Sequence, residues 1–457
     1  MQRAARYCAK AVFLAFGFVS AQSQVAADML LRQSLAKKPK TLAPHRYMIS
    51  VKALSPAWTL AILAGLNMVN YIDRAVLNAV RTPMADDFKI SFEKSGQAFT
   101  AFMIGYFITS PIFGYLGDRV SRKWLIAAGI FVWSLGTVLT GFAESFWMLL
   151  AYRVLVGVGE ASYATIGPSL ISDTFGKERR NNALTIFYVA MPVGYALGYL
   201  FGGEMSKLHG WRSAFIWAGA PGLVLALVLL PFKDTERGKA ESGGEMAKPG
   251  LADLLKLFKN ANYMLVIWGY VAYTFALGAF SFWGPTFLEK IHGLDTAQSN
   301  RFFGMVIVVA GLVGTMLGGF AATAWQKRNP AGYAWVLAGS ILAATPAAAA
   351  ALLVKDRNLA MAFLAGAIFL LFLSTGPTNT LIIETVPVNL RASAMAMSLF
   401  MIHLFGDMWS PQIVGAVADK WGLRAGVMVL PGALVVGGIL WLWLALKMRR
   451  DAVRGKT

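Results

Sequence analysis

The chain has 457 residues, 57% hydrophobic and 14% charged, with a formal net charge of +19 and a mean hydropathy of +0.56. A soluble domain carries about 25% charged residues, so this composition excludes an ordinary soluble globular protein. The positive charge clusters beside alternate ends of long apolar runs and forms no basic module, which excludes nucleic acid as a partner. The single cysteine, Cys8, excludes an intramolecular disulfide and a cysteine-built metal centre.

The chain opens with Arg3, Arg6 and Lys10 ahead of an apolar run over 11–21. That pattern resembles a short secretory signal, and the run is too short to span a membrane. Lys37, Lys38, Lys40, Arg46 and Lys52 follow it and argue that this end stays inside. Residues 1–56 are read as a basic extension, cytoplasmic or partly disordered and dispensable, with Met48 a plausible start. Apolar runs of roughly 18 or more residues then mark membrane spans. They fall at 57–80, 97–117, 124–142, 146–172, 183–205 and 211–231. After a polar stretch rich in Lys, Glu and Gly come 263–287, 302–323, 331–354, 359–383, 392–417 and 425–446.

The expected fold is therefore an all-α integral membrane protein of twelve transmembrane helices in two pseudo-symmetric six-helix bundles. The first bundle occupies 57–231, a cytoplasmic linker 232–260, the second bundle 261–446 and a basic cytoplasmic tail 447–457. Basic residues at Arg119–Lys123, Lys177–Arg180, Lys327–Arg328 and the tail all fall on one side, which places both termini in the cytoplasm. An internal repeat supports the two halves. Asp173-Thr174 is followed by Arg180 and Ala183, and Glu384-Thr385 by Arg391 and Ala394, at equal spacing.

Four segments carry polar chemistry inside or beside these spans. Gly114-Tyr-Leu-Gly-Asp118-Arg119-Val-Ser-Arg122-Lys123 follows the second span. It resembles the signature loop of the major facilitator superfamily, with Ser121 where glycine is usual. Asp118 is placed to accept bonds from a neighbouring helix N-terminus, where anions are favoured. Arg119, Arg122 and Lys123 are placed to pair with acidic groups, so the loop is expected to act as a conformational lock. The second-half counterpart, 318–328, has Thr323 near the acidic position, and its lock looks degraded.

In the first span, Asn70-Tyr71-Ile72-Asp73-Arg74 sets two opposite charges in an apolar helix. Intramembrane charges line a water-filled path or pair with one another; the competing reading ends the span at Tyr71 and leaves both at the interface. In the fourth span, Arg153 and Glu160 are seven residues apart, hence on one helix face about 10 Å from each other. Glu160 near mid-helix can serve as the carboxylate that takes up and releases a proton, or as half of a fixed salt bridge. In the eleventh span, His403 and Asp407 are one turn apart and face the same way. They can relay protons, hold a headgroup, or form a buried hydrogen-bonded pair. Gly194, Gly198, Gly202 and Gly203 in the fifth span resemble an antiporter motif with Tyr199 in place of proline; four-residue glycine spacing chiefly permits close helix packing.

Together these segments resemble the Spinster family of the major facilitator superfamily. The carrying residues are Asn70–Arg74, the run Gly157-Val-Gly-Glu160-Ala-Ser-Tyr-Ala-Thr-Ile-Gly-Pro168, and His403–Pro411. The resemblance implies a proton-coupled secondary transporter of lysophospholipid or sphingolipid type anions, working by alternating access. It implies that Asp73 and Glu160 carry the proton, and that Arg74, Arg153, Tyr71, His403 and Asp407 contact substrate. An organic-anion:proton symporter of sugar acids or carboxylates is the alternative, since that family shares the Tyr-x-Asp-Arg first span and the Arg…Glu pair. The segments at 161–168 and 403–407 favour Spinster. The further expectations are a protein of the plasma (inner) membrane that works as a monomer, with no metal and no cofactor beyond a proton gradient. No Gly-x-Ser-x-Gly elbow, metal cluster or phosphate loop marks an enzyme.

Overall fold

The computed structural model describes residues 55–117, 119–229, 256–387 and 390–455. The extension, Asp118, most of the linker and the last two residues lie outside them. Ten helices among the described residues are long and apolar enough to cross a membrane. The apolar helix Trp211–Leu229 and a divided eleventh span complete twelve passes.

The helices begin where side chains can satisfy the orphan amides of a first turn. Ser55 accepts from the Trp58 amide ahead of the first span, Pro56–Ala79. Ser145 does the same for the fourth, Phe146–Thr174. Asn260 caps the seventh, Ala261–His292, and Asp295 forms a reciprocal box with Gln298 at the eighth, Thr296–Gln326. Two one-residue turns use glycine in a conformation that other residues rarely adopt. Gly210 (φ 82°) joins the fifth span, Lys177–His209, to the sixth, and Gly422 (φ 86°) joins the eleventh to the twelfth, Leu423–Val453.

Several helices run beyond their apolar windows. The twelfth continues to Val453, so the stretch read as a tail from 447 is mostly helical. A Lys447–Asp451 pair at 2.9 Å and a Lys447 bond to Asn262 at 2.8 Å support that last turn.

Packing repeats with a shift of six spans. The second span packs on the fourth and the third on the sixth; correspondingly, the eighth packs on the tenth and the ninth on the twelfth. The first and fifth spans pair closely, and so do the seventh and eleventh. Between bundles the main contacts are fifth to eighth and second to eleventh, which exchange under the same shift. Two spans of the second bundle carry π-turns, Ala310–Gly314 in the eighth and His403–Asp407 in the eleventh.

The bundles join firmly at the end away from the linker, here called the far face. Lys290 binds Asp86 at 3.0 Å, Arg301 binds Glu204 at 2.5 Å and Lys207 lies 3.5 Å from Asp295. The Asp419 carboxylate, at the far end of the eleventh span, accepts from the amides of Phe92 and Glu93 that open the second, Phe92–Gly117. Glycine gives close approach where these helices cross: a Cβ on Gly415 would lie 2.5 Å from the Phe92 carbonyl oxygen.

Candidate functional site

The charged residues of the first and fourth spans meet inside the first bundle, in crossed pairs. Arg74 Nε donates to Glu160 Oε2 at 2.6 Å. Arg153 lies 3.8 Å from Asp73 Oδ1, and the Thr137 hydroxyl, from the third span, donates to Asp73 Oδ2. Glu160 therefore pairs with the first span and not with Arg153 on its own helix. Neither charge of the first span lies at the interface: Asp73 is 1% exposed.

Burial separates the four. Asp73, Arg153 and Glu160 are sealed, whereas the Arg74 side chain keeps 15% exposure. Arg74 sits among rings, with Tyr71 at 5.2 Å, Phe102 at 5.0 Å and Tyr106 at 5.2 Å from its guanidinium carbon. Such faces attract a cation while leaving its N–H edges available. Arg153, expected among the substrate contacts, also lies by Phe102, 5.4 Å from that ring, but is buried and pairs with Asp73. The set holds two cations and two carboxylates. Asp73 Oδ1, Glu160 Oε1 and two nitrogens of Arg153 are buried without a protein hydrogen-bond partner, so the cluster retains polar capacity for a proton or water.

The second bundle faces this cluster with the π-turn of the eleventh span. His403 Nδ1 lies 2.9 Å and 3.1 Å from the two oxygens of Asp407, and both side chains are partly exposed. The His403 ring meets Tyr106 edge-on at 6.3 Å. Tyr106 thus touches the Arg74 cage on one side and the His403–Asp407 pair on the other. Gly278 leaves room for Asp407, since a Cβ there would lie 2.7 Å from the Asp407 Cβ. The carbonyls displaced near the turn find donors: Thr100 of the first bundle binds Met408 O at 3.0 Å and Trp283 Nε1 binds Pro411 O at 2.9 Å. On the other side of the turn Phe405 packs at a tilt against Trp268, ring centroids 5.5 Å apart, and both line an apolar groove of about 730 Å³ with Phe275 and Val436.

The signature loop lies at the linker face, away from this cluster. Arg122 pairs with Asp173 at the end of the fourth span and donates to the Gly117 carbonyl at 3.4 Å. Arg119 folds over Tyr115, 3.6 Å from its ring, and bonds the Tyr115 carbonyl. Lys123 lies over Trp124 at 5.1 Å. Gly114 faces Thr165 of the fourth span, with a Cβ reaching 3.6 Å. Asp118 lies outside the described residues. The fifth-span glycines seat the first span: a Cβ on Gly194 would approach Met68 O to 2.6 Å, and one on Gly198 would approach Ile72 O equally closely.

Several polar contacts have no mark in the apolar pattern. Thr137 and Tyr106 sit within ordinary apolar windows. Arg81 lies one residue past the first apolar run, where it resembles a loop charge, yet it is 1% exposed. Among the described residues no group of three His, Cys, Asp or Glu gathers as metal ligands.

Comparison with known proteins agrees with this architecture. Residues 63–411 match the model of the Major Facilitator Superfamily. Protein spinster of Drosophila melanogaster is 34% identical over 398 residues, covering 83% of this chain and 64% of its own length. The chain thus spans under two thirds of the fly protein but more of other relatives. The sphingosine-1-phosphate transporter SPNS2 of Danio rerio is 30% identical over 431 residues, covering 87% of this chain and 85% of its own. Among solved structures, a bacterial homologue of the human lysosomal transporter Spinster, inward-facing and unoccupied, superposes with a TM-score of 0.80. It shares 24% identity, over 86% of this chain and 98% of that one. The match along most of the chain, the twelve-pass architecture and the paired bundles make this a multi-pass transporter and not an enzyme. The chain belongs to the Spinster family of the Major Facilitator Superfamily.

Proposed function

We propose that this transporter moves an anionic lipid-like substrate, of lysophospholipid or sphingolipid type, in exchange of charge with a proton at Glu160. One observation carries the reading: Arg74 is the partly exposed cation of a four-charge cluster, and its ion-pair partner Glu160 is sealed. With Glu160 ionised, the 2.6 Å bond occupies the guanidinium. A proton on Glu160 removes the opposing charge and leaves Arg74 free to form charge-assisted bonds to a phosphate or similar headgroup. Asp73 shares the proton load, while Arg153 and Thr137 hold Asp73 in place. Tyr71 supports the headgroup beside Arg74, and His403 and Asp407 complete the contact from the second bundle through Tyr106.

The two bundles rock about this site in alternating access. Ion pairs and helix caps close the far face, which supports assignment of this conformation as the state open toward the linker. The basic loops support the cytoplasm as that side. The signature loop from Gly114 through Asp118, Arg119, Arg122 and Lys123 latches the opposite state. The proposed setting is the plasma (inner) membrane, with the protein working as a monomer driven by the proton gradient alone. The zebrafish relative is a sphingosine-1-phosphate transporter, which supports a lipid over a sugar acid.

The test is proton movement in proteoliposomes offered a lysophospholipid or a sugar acid separately. Lipid-dependent proton flux that disappears in Glu160→Gln supports the reading. Flux with the sugar acid alone overturns the substrate class, and lipid-dependent flux unchanged in Glu160→Gln overturns the proton site.

A further inference from the structure

Another buried arginine lies in the far seal, and its surroundings differ from those of Arg74 and Arg153. Arg81 opens the short helix Arg81–Phe88 that follows the first span. A helix N-terminus disfavours a cation, and a buried charge without a counter-charge is costly. Yet Arg81 has no ion pair among the described residues. Two carboxylates act on it through space, Glu289 and Asp86; Asp86 is engaged by Lys290, and Glu289 sits on the seventh span with Thr286 and departs with it when the bundles separate.

Hydroxyls and rings hold it instead. Nε donates to Thr286 Oγ1 at 2.8 Å, Nη1 to Ser95 Oγ at 2.9 Å and Nη2 to Thr82 Oγ1 at 3.3 Å. Trp283 covers the guanidinium at 4.2 Å, with Phe92 and Phe282 at 5.9 Å. Ser95 and Thr82 belong to the first bundle, whereas Thr286 and Trp283 belong to the second. Separating the bundles at the far face takes Thr286 and the Trp283 face away from Arg81. It leaves a guanidinium and two hydroxyls on one wall, all able to donate to an anion.

The two arginines are also linked through rings. Phe102, which touches Arg74, packs on Phe99 at 6.1 Å. Phe99 packs on Phe282 at 6.1 Å, and Phe282 packs on Trp283 at 5.3 Å. The row crosses the seam between the bundles at Phe99 and Phe282, so it is continuous only while the far face is sealed.

We propose that Arg81, with Ser95 and Thr82, is a second anion site: a station for a phosphate headgroup that is sealed in this state and exposed when the far face opens. The inference rests on the anionic-lipid reading above. It makes Arg74 the station reached from the linker side and Arg81 the one reached from the far side. The cross-bundle hydroxyl and ring contacts stand in for the anion when the seal is closed.

The test is sided thiol labelling in proteoliposomes. Cys8→Ser removes the native thiol, and Ser95→Cys places a reporter against Arg81. A membrane-impermeant thiol reagent is added on the far side with lysophosphatidic acid or with neutral monoacylglycerol. Lysophosphatidic acid is expected to slow labelling about tenfold, equivalent to roughly 1.4 kcal/mol of added protection, and the neutral lipid to leave it unchanged. Arg81→Gln should abolish that protection, Arg81→Lys should keep part of it and Arg74→Gln should keep all of it. Labelling that never occurs, protection equal for both lipids, or protection unaltered in Arg81→Gln each overturns the second site. Lysophosphatidic acid binding to the detergent-solubilised protein and its Arg74→Gln variant separates the two readings. If binding depends on Arg74 but the reporter is not protected, only the Arg81 station falls. If no binding is detected, the anionic-lipid reading falls with it.

Discussion

Arg74 and Glu160 face each other across the first and fourth spans at 2.6 Å, the Glu160 side chain wholly buried and the Arg74 side chain 15% exposed. The asymmetry divides labour within one ion pair: Glu160 answers to protons and Arg74 to whatever enters from the central space. Replacing Arg74 with Ala removes a charge-assisted bond worth about 1.5–3 kcal/mol, so substrate affinity should fall roughly 10- to 150-fold. Lysolipid binding by the purified variant checks this, and affinity within threefold of the parent would refute a headgroup role.

Glu160→Gln keeps the shape and one acceptor of the carboxylate but cannot exchange a proton. The variant should fold, bind lipid and allow exchange between equal pools, yet fail to accumulate substrate under an imposed pH gradient. Counterflow measured beside gradient-driven uptake distinguishes these outcomes; loss of both would show that Glu160 is needed for more than coupling.

Arg153 and Asp73 are each 1% exposed. Removing one partner leaves a buried charge uncompensated, which costs about 3–5 kcal/mol, whereas replacing both with apolar or neutral groups is often nearly neutral. Arg153→Met should therefore lower the unfolding temperature sharply, and Arg153→Met combined with Asp73→Asn should recover most of it. A double-mutant cycle by thermal unfolding in detergent measures the coupling, and additive losses would mean that the two charges do not sense each other.

Gly198 seats the fifth span against the first, where an added Cβ would lie 2.6 Å from both Ile72 O and the Ala75 Cβ. Overpacking of this kind costs typically about 1–3 kcal/mol. Gly198→Ala should reduce stability and transport together. Gly319→Ala, where nothing lies within 4 Å, should change neither by a measurable amount.

Acid should loosen the far face. The Arg212 bond holds the Asp87 carboxyl below its ordinary value, and backbone bonds at the helix start do the same for Asp295. A depressed folded-state value means that the stabilisation is complete above the ordinary aspartate pKa of 3.8 and is lost as the pH falls below it. Asp87→Asn should thus lower the unfolding temperature at pH 7 and make no difference at the acid extreme. A deficit equal at both pH values would assign Asp87 a packing role instead.

Much of this architecture was legible because the bilayer forces long apolar runs and sorts basic loops. Charges at Asp73, Arg74, Arg153 and Glu160 stood out against apolar helices for the same reason. Their pairing did not, since spacing within one helix only sets Arg153 and Glu160 on the same face, about 10 Å apart, whereas the packed bundle brings Glu160 to Arg74, 86 residues away. The one-turn spacing of His403 and Asp407 put them on one face, with a hydrogen-bonded pair among the alternatives, and the π-turn beneath them had no sequence mark. Arg81 was missed because hydropathy ends at Val80, while its hydroxyl partner Thr286 comes from the other bundle. Thr137 and Tyr106 were invisible for a related reason: a hydroxyl in an apolar window has meaning only once its neighbours are known.

The crossed pairs of Asp73, Arg74, Arg153 and Glu160 sum to zero charge within one rigid bundle. A neutral quartet does no electrical work as it shifts across the membrane field, where one unit charge carried through 100 mV exchanges about 2.3 kcal/mol. The quartet of the empty carrier should therefore add nothing to the voltage dependence of its reorientation. A carrier holding a proton alone moves with the field, and one holding a proton with a monoanionic headgroup is electrically silent again. The sign and size of transport current thus become a count of what the cluster holds when it moves.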